Sequence, residues 1–389
     1  VALSYPFNDF HGIDLATAYA DALAKPGLTS VRMSYGEPAW LVTRHEEARL
    51  VLADRRFSRA MGAERDAPRV LPRFPVGIVS MDPPHLTRVR GLAAKAFTHR
   101  RAEGLRPHVA ALTAGLVDRM IATGPPADLV RDFALPIPIA VICALLGVPV
   151  ADQERFQAWN DSLLSTSELT PEENQRNIGE LTRYIAELVE LRRAEPADDL
   201  MTALVQARDV DDRLSTDELV LLCVAILVAG YEATASQIPN FIHTLLGDDA
   251  QFARLRADPD LVDNAVEELL RFVPIAAGAM FPHYATEDVQ VGDALVRAGE
   301  PVLVSIGSAN RDSHAFADAD TLDLTRDART HLAFGHGLHH CIGSALARIE
   351  LQEALRALVV RLPGLRSAGP VQWKTETFFR GPKKMPITW

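Results

Sequence analysis

The sequence predicts a mainly α-helical protein that carries only small β-sheets. Long amphipathic stretches bounded by proline, glycine or polar turns run over Arg101–Ala122, Phe133–Leu146, Asp152–Leu164 and Pro171–Arg193. Strand-like segments are few and short: Ala39–Thr43, Asp288–Val291 and Val302–Ser305. The run His45–Leu52 reads as a helix after the first of these strands. Ser215-Thr216-Asp217-Glu218 has the spacing of a capping box, in which serine and glutamate satisfy each other's free backbone amides. A helix starting there and ending near Gly247 would span about 48 Å at about 1.5 Å per residue. Leu261–Phe272 forms a further helical run. Leu346, Leu351, Leu355, Leu358 and Val359 recur at helical spacing near the C-terminal end.

With 389 residues and 48% hydrophobic content, the chain can bury a large core. Its length alone admits two or three domains. No internal repeat, low-complexity block or long linker divides it, so residues 1–389 are expected to form a single domain. The net charge of −11 argues against nonspecific nucleic-acid binding. Three cysteines without paired spacing suit a reducing, cytoplasmic setting. The apolar stretch Leu219–Ala229 is too short to span a bilayer, and Phe133–Val150 is interrupted by Pro136, Pro138 and Pro149. Neither a membrane anchor nor a signal peptide is expected.

The segment Phe334-Gly335-His336-Gly337-Leu338-His339-His340-Cys341-Ile342-Gly343 carries the chemistry. Gly335 and Gly337 allow a tight turn to lie close to a flat ligand, where a side chain would intrude. The helical run that follows puts Cys341 at a helix N-terminus, whose free amides and dipole favour a thiolate. Gly343 lets those amides approach. Zinc binding by Cys341 with His331, His336, His339 and His340 would need a second ligand pair, and Cys143 and Cys223 lie alone in apolar runs. A plain buried cysteine is the other structural alternative. The pattern Phe-Gly-x-Gly-x-His-x-Cys-x-Gly resembles the haem-binding loop of the cytochrome P450 family at every fixed position. The resemblance covers essentially the whole chain. It implies the family's triangular-prism fold and haem b, iron protoporphyrin IX held by the axial thiolate of Cys341. Phe334, Gly335, Gly337, His339 and Gly343 would shape its site.

Within the long apolar helix, Ala229-Gly230-Tyr231-Glu232-Ala233-Thr234 places a glycine and an acid among apolar residues, although interior glycine costs about 1 kcal/mol relative to alanine. By itself this reads as a packing glycine beside a solvated glutamate. By resemblance it is the family's oxygen-binding groove, with Ala229 and Gly230 against the cofactor and Glu232 as the acid. Oxygen activation consumes protons, which a carboxylate able to face solvent or pocket could relay. The family's alcohol is Ala233 here, and a methyl group cannot supply its hydrogen bonds. Thr234 lies about 100° round the helix and is a poor substitute. Pro239 is expected to bend the helix just beyond this groove.

Glu268 and Arg271 share a helix face, which on a surface contributes only about 0.2–0.5 kcal/mol. They resemble the family's buried Glu-x-x-Arg pair, whose usual third arginine is Thr321 here. The resemblance also implies that Arg90, His283 and His339 hold the haem propionates. Leu86 departs from the family's histidine, His85 is displaced by one residue, and His283 replaces an arginine common in bacterial relatives.

No appended flavin or iron–sulfur module is visible, so electrons should come from other proteins, a ferredoxin and its reductase. Arg88, Lys95, Arg100, Arg101, Arg106 and Arg348 are candidates for steering an acidic donor. Solvated helix faces would show the same charges. The resemblance places the substrate pocket along Arg59–Val79, Trp159–Asn177, Ala229, Ala233, Pro274–Met280 and Thr377–Phe379, with Ile275, Ala276, Ala277 and Phe378 against the ligand. Small residues there suit a bulky organic substrate. The motifs are similar to those of soluble bacterial, natural-product-tailoring members, including actinomycete macrolide and polyketide hydroxylases of antibiotic biosynthesis. Hydroxylation or epoxidation of such a metabolite is the leading expectation, with oxidative phenol or carbon–carbon coupling and a noncatalytic haem sensor as alternatives.

Overall fold

The protein is described from a computed structural model, which describes residues 2–8, 11–70, 77–94, 97–153, 155–156, 159, 171–211, 215–375 and 377–389. Its axis is the 31-residue central helix, Thr216–Leu246. Ser215 caps it by accepting from the Glu218 amide, while the Glu218 carboxylate accepts from the Ser215 amide, completing the capping box. Gly247 ends it. The helix continues through Pro239, and neighbouring helices cover both of its halves. By length and composition it could cross a membrane, contrary to the shorter apolar run read from sequence, but most of its apolar stretch is buried inside the protein.

Two apolar cores share this helix. Its first half places Leu219, Leu222, Cys223, Ile226 and Leu227 against Leu181, Ile185 and Leu188 of the helix Pro171–Ala194. The second half places Ile238, Phe241, Ile242 and Leu245 against Leu351, Leu355 and Leu358 of the helix Ser344–Arg361. That helix in turn packs along His99–Thr123, which Thr98 opens by accepting from the Arg101 amide. The predicted helix over Phe133–Leu146 divides in two. Val130–Ala134 forms a π-helical turn, and the α-helix starts at Pro136, whose missing amide is tolerated at a first turn. Only a few residues of the stretch Asp152–Leu164 lie among those described.

The largest sheet has six short strands in the order Leu3–Ser4, Thr29–Arg32, Ala39–Val42, Pro301–Val304, His283–Ala285 and Phe57–Ser58. Ala39–Val42 runs parallel to Pro301–Val304, pairing Trp40 with Val302. The edge strand runs antiparallel, with Phe57 opposite Ala285 and Ser58 opposite Tyr284. This edge register determines which side chains meet below the sheet.

Candidate active site

Gly335 and Gly337 hold the cysteine loop at φ of +71° and +68°, conformations that residues with a Cβ rarely adopt. Gly337 has a second reason to be glycine. A Cβ there would lie 2.5 Å from the Leu52 carbonyl oxygen and 2.6 Å from Ala53 Cα. Its close approach on this side is to the helix His45–Ala53. The Cys341 amide donates to the Phe334 carbonyl at 2.8 Å and closes the loop. Gly343 is the N-cap of Ser344–Arg361, so Cys341 stands two residues ahead of that cap.

Cys341 is the accessible cysteine of the three. Protein surrounding the sulfur raises its thiol pKa, whereas the Gly343 amide, Arg90 and Arg348 act in the opposite direction and favour a thiolate. Cys143 and Cys223 have no such partners, and burial pushes both thiols up to about 12. Arg348 also lies over the Phe334 ring, 4.5 Å from its centroid. Among the described residues, nothing lies within 4 Å of the point where a Cβ on Gly343 would be. An accessible cysteine near the open side of Gly343, on a loop flanked by cations, fits a flat haem with carboxylate substituents.

The central helix presents small side chains on its most accessible stripe: Ala225, Ala229 and Ala233, four residues apart. Ile342 of the cysteine loop packs against the same core as Leu227 and Tyr231 of this helix. Gly230 does not belong to the stripe. A Cβ there would meet Ile142 Cδ1 at 2.8 Å, so this glycine admits the helix Pro136–Leu146, in keeping with the packing alternative. Glu232 is buried rather than solvated. It pairs with Lys374 and accepts from Ser236 Oγ at 3.1 Å, while Lys374 Nζ lies 3.0 Å from that hydroxyl. Sequence reasoning missed Lys374, which lies far along the chain beside the strand Gln372–Trp373.

Thr234 points elsewhere. Its hydroxyl hydrogen-bonds Glu350 of the helix Ser344–Arg361. Glu350 is 3% exposed, its second carboxyl oxygen has no partner, and burial pushes its carboxyl up to about 8 despite the Thr234 contact. The unfolded carboxyl ionises near 4.5, so as pH rises from there towards 8 the unfolded state releases a proton that the folded state retains, and stability falls. Glu350→Gln removes this loss. Its unfolding free energy should exceed wild type by on the order of 3 kcal/mol at pH 7, with the gain shrinking towards pH 5. Denaturant titrations across that range check the prediction; a pH-independent difference would contradict it.

Cations gather beneath the edge of the large sheet. Arg90 donates to the His340 carbonyl and approaches Cys341. Burial pulls the His339 pKa down to about 4, with Arg59 and Arg90 adding to the effect and Asp82 opposing it, so the ring is neutral at neutral pH. His283 is buried and also held neutral. Arg59 joins these residues although its sequence suggested only a place in a substrate loop.

The pocket lining differs from expectation. Ile275 and Ala276 remain half-accessible, and Ala276 bridges to Phe379. Ala277 is fully buried, its carbonyl accepting from Asn8 Nδ2 at 3.1 Å and the Tyr19 hydroxyl at 3.2 Å. A Cβ on Gly278 would lie 2.6 Å from Pro6. The small residues here therefore admit the N-terminal segment, which corrects the role given to Ala277. Phe378 is likewise buried, and its carbonyl accepts from the Ala277 amide at 3.3 Å. Residues 71–76 and 160–170 of the expected lining, and Lys95, lie outside the described residues.

Glu268 and Arg271 are fully buried and joined by two hydrogen bonds of 2.7 and 2.8 Å. Arg271 also donates to the carbonyls of Asn310, Ala319 and Thr321. A second arginine does complete the network as its third member: Arg326 Nε lies 3.1 Å from Glu268, five residues beyond the Thr321 position considered from sequence. Asn310 then accepts from the Leu332 amide at 2.7 Å, linking the network to the chain entering the cysteine loop.

A thiol-bearing glycine loop packed beside a long helix, within a helical fold of this order, defines a haem-thiolate protein. The sequence model described as Cytochrome P450 matches residues 25–363, and the chain belongs to that family. Mycinamicin IV hydroxylase/epoxidase of Micromonospora griseorubida is 49% identical over 390 residues, covering 99% of this chain and 98% of that protein. Nocardicin C N-oxygenase of Nocardia uniformis subsp. tsuyamanensis is 48% identical over 392 residues, with the same coverage. The crystal structure of HinD with NMFT and NO superposes with a TM-score of 0.95 at 47% identity, covering 100% of both chains. This chain is accordingly a monooxygenase. Its family implies haem iron with cysteine thiolate ligation, small-molecule substrates and reduction by partner proteins.

Proposed function

We propose that the protein uses haem b, ligated by Cys341, to hydroxylate or epoxidise a bulky secondary metabolite of macrolide or polyketide type. The carrying observation is the accessible residue Cys341 with the Gly343 amide directed at its sulfur. The 49% identity to a mycinamicin IV hydroxylase/epoxidase supports the substrate class, and the 48% identity to a nocardicin C N-oxygenase supports oxygen transfer. Bound haem would supply the oxidation chemistry, in which dioxygen, two electrons from the donor proteins and two protons give one oxygen atom inserted into the substrate and one released as water. The protein's residues do the rest. Ala229 and Ala233 leave room for substrate, Phe334 holds the Cys341 amide through its carbonyl, and Glu232 moves protons towards the pocket. Ala233 offers no hydroxyl, so a hydroxyl of the substrate fills that hydrogen-bonding role.

Turnover under labelled dioxygen tests the reaction class. One labelled atom in the isolated product is expected; product without label would replace oxygen insertion by coupling or ring closure, a reading that Ala233 also accommodates. Glu232→Gln keeps size and removes proton exchange. Turnover should fall about a hundredfold with little change in the spectral substrate dissociation constant. Unchanged turnover would assign the Glu232–Lys374 pair to structure alone.

For electron supply, a ferredoxin with its reductase fits the charges that remain available. Arg88 is paired with Glu218, Arg106 with Glu103 and Glu353, and Arg348 with Glu267. Arg100 and Arg101 are exposed at the start of His99–Thr123, beside Ala102, which packs with Leu346 of the post-cysteine helix. They form the docking point in this reading, in a cytoplasmic protein.

A further inference from the structure

The edge-strand register Phe57↔Ala285 and Ser58↔Tyr284 brings Arg59 beside His283. Arg59 Nε lies 3.0 Å from His283 Nε2. Because a guanidinium only donates, Nε2 must accept, which places the neutral ring's proton on Nδ1. Nδ1 is buried, with the Phe281 and Val302 backbone beside the ring and no hydrogen bond of good geometry to it among the described residues. Burial, Arg59 and His339 all oppose a second proton on this ring. His283 is thus turned towards Arg59 as an acceptor.

Arg59 has an incomplete set of partners. Its Nη1 donates to the Val79 carbonyl at 3.2 Å, and its guanidinium lies 5.0 Å from the Phe281 ring centroid. The nearby carboxylate, Asp82, is engaged by the Ser58 hydroxyl and by the Arg59 backbone amide, not by the guanidinium. No hydrogen bond to Nη2 occurs among the described residues. Burial lowers the Arg59 pKa to about 10, still leaving it charged at neutral pH. A buried guanidinium without a hydrogen-bonded carboxylate favours an anion from outside the chain. His339 and Arg90 share its electrostatic surroundings.

We infer that Arg59 is the cation that grips a haem propionate, and that His283 is a positioning residue that aims it rather than a propionate ligand itself. The inference rests on the haem b reading. The histidine takes the Nε proton and the Val79 carbonyl one proton of Nη1, leaving Nη2 and the second Nη1 proton for the carboxylate. Two residues brought together by the sheet edge thereby perform the task expected of one residue at 283.

Haem loss from the holoprotein to excess apomyoglobin, followed by absorbance, tests this arrangement. Arg59→Gln should accelerate loss about tenfold or more, and His283→Ala should fall between that variant and wild type. Haem dimethyl ester, whose propionates carry no charge, should leave wild type and Arg59→Gln at similar rates. His283→Arg added to Arg59→Gln should restore much of the retention of ordinary haem. Equal loss of ordinary haem from wild type and Arg59→Gln overturns the inference, as does an equally large Arg59→Gln effect with the ester. His283→Ala indistinguishable from wild type overturns the positioning role. If wild type binds no haem, the cofactor reading itself fails, a separate result.

Discussion

A Cys341→Ser variant is expected to lose monooxygenase turnover by more than about a hundredfold and to lose the spectral signature of thiolate ligation in its reduced, carbon monoxide-bound form. Partners that only orient a metal ligand typically cost 10–100-fold when removed, so the ligand itself should cost more. Serine preserves the size and loop geometry but provides no thiolate. Cys143 and Cys223 cannot compensate, because both thiols are buried in apolar surroundings that push their pKa values up to about 12. Electronic spectra and product formation check the prediction on the same sample. Retained thiolate spectra in Cys341→Ser would reject this residue as the ligand.

Arg271→Ala should destabilise the protein by about 3–5 kcal/mol, since it leaves the Glu268 carboxylate buried after losing a two-point partner. The carbonyls of Asn310, Ala319 and Thr321 lose a donor in the same change. Arg326 remains beside Glu268 and moderates the loss. The damage should extend to the cysteine loop because Asn310 also holds the Leu332 amide. Denaturant midpoint and haem content should therefore fall together. A wild-type midpoint would show that the pair contributes little to stability.

Much of this architecture is legible from short sequence patterns. Ser215 and Glu218 establish the central helix's start because both halves of a capping box lie within one turn. Gly335, Gly337 and Cys341 define the loop because its turn depends on conformations available to glycine. Those same patterns are less informative about what a glycine faces. Gly230 meets Ile142, and Gly337 meets the end of another helix, packing contacts that no local pattern announces. Ala277 was displaced from the pocket by the N-terminal segment, whose path no local pattern specifies.

The sequence by itself determined the mainly helical character, the central helix with its capping box, the cysteine loop and the Glu268–Arg271 pair, because each rests on residues within a few turns of one another. Tertiary structure decided the polar partnerships: Lys374 with Glu232 across 142 positions, Arg59 with His283 across 224, Arg326 with Glu268 across 58, and Glu350 with Thr234 between two helices. Hydrophobic periodicity identifies which face of an element is buried. Strand register and helix crossing, set by packing of the whole chain, select the polar side chain that waits on the other side.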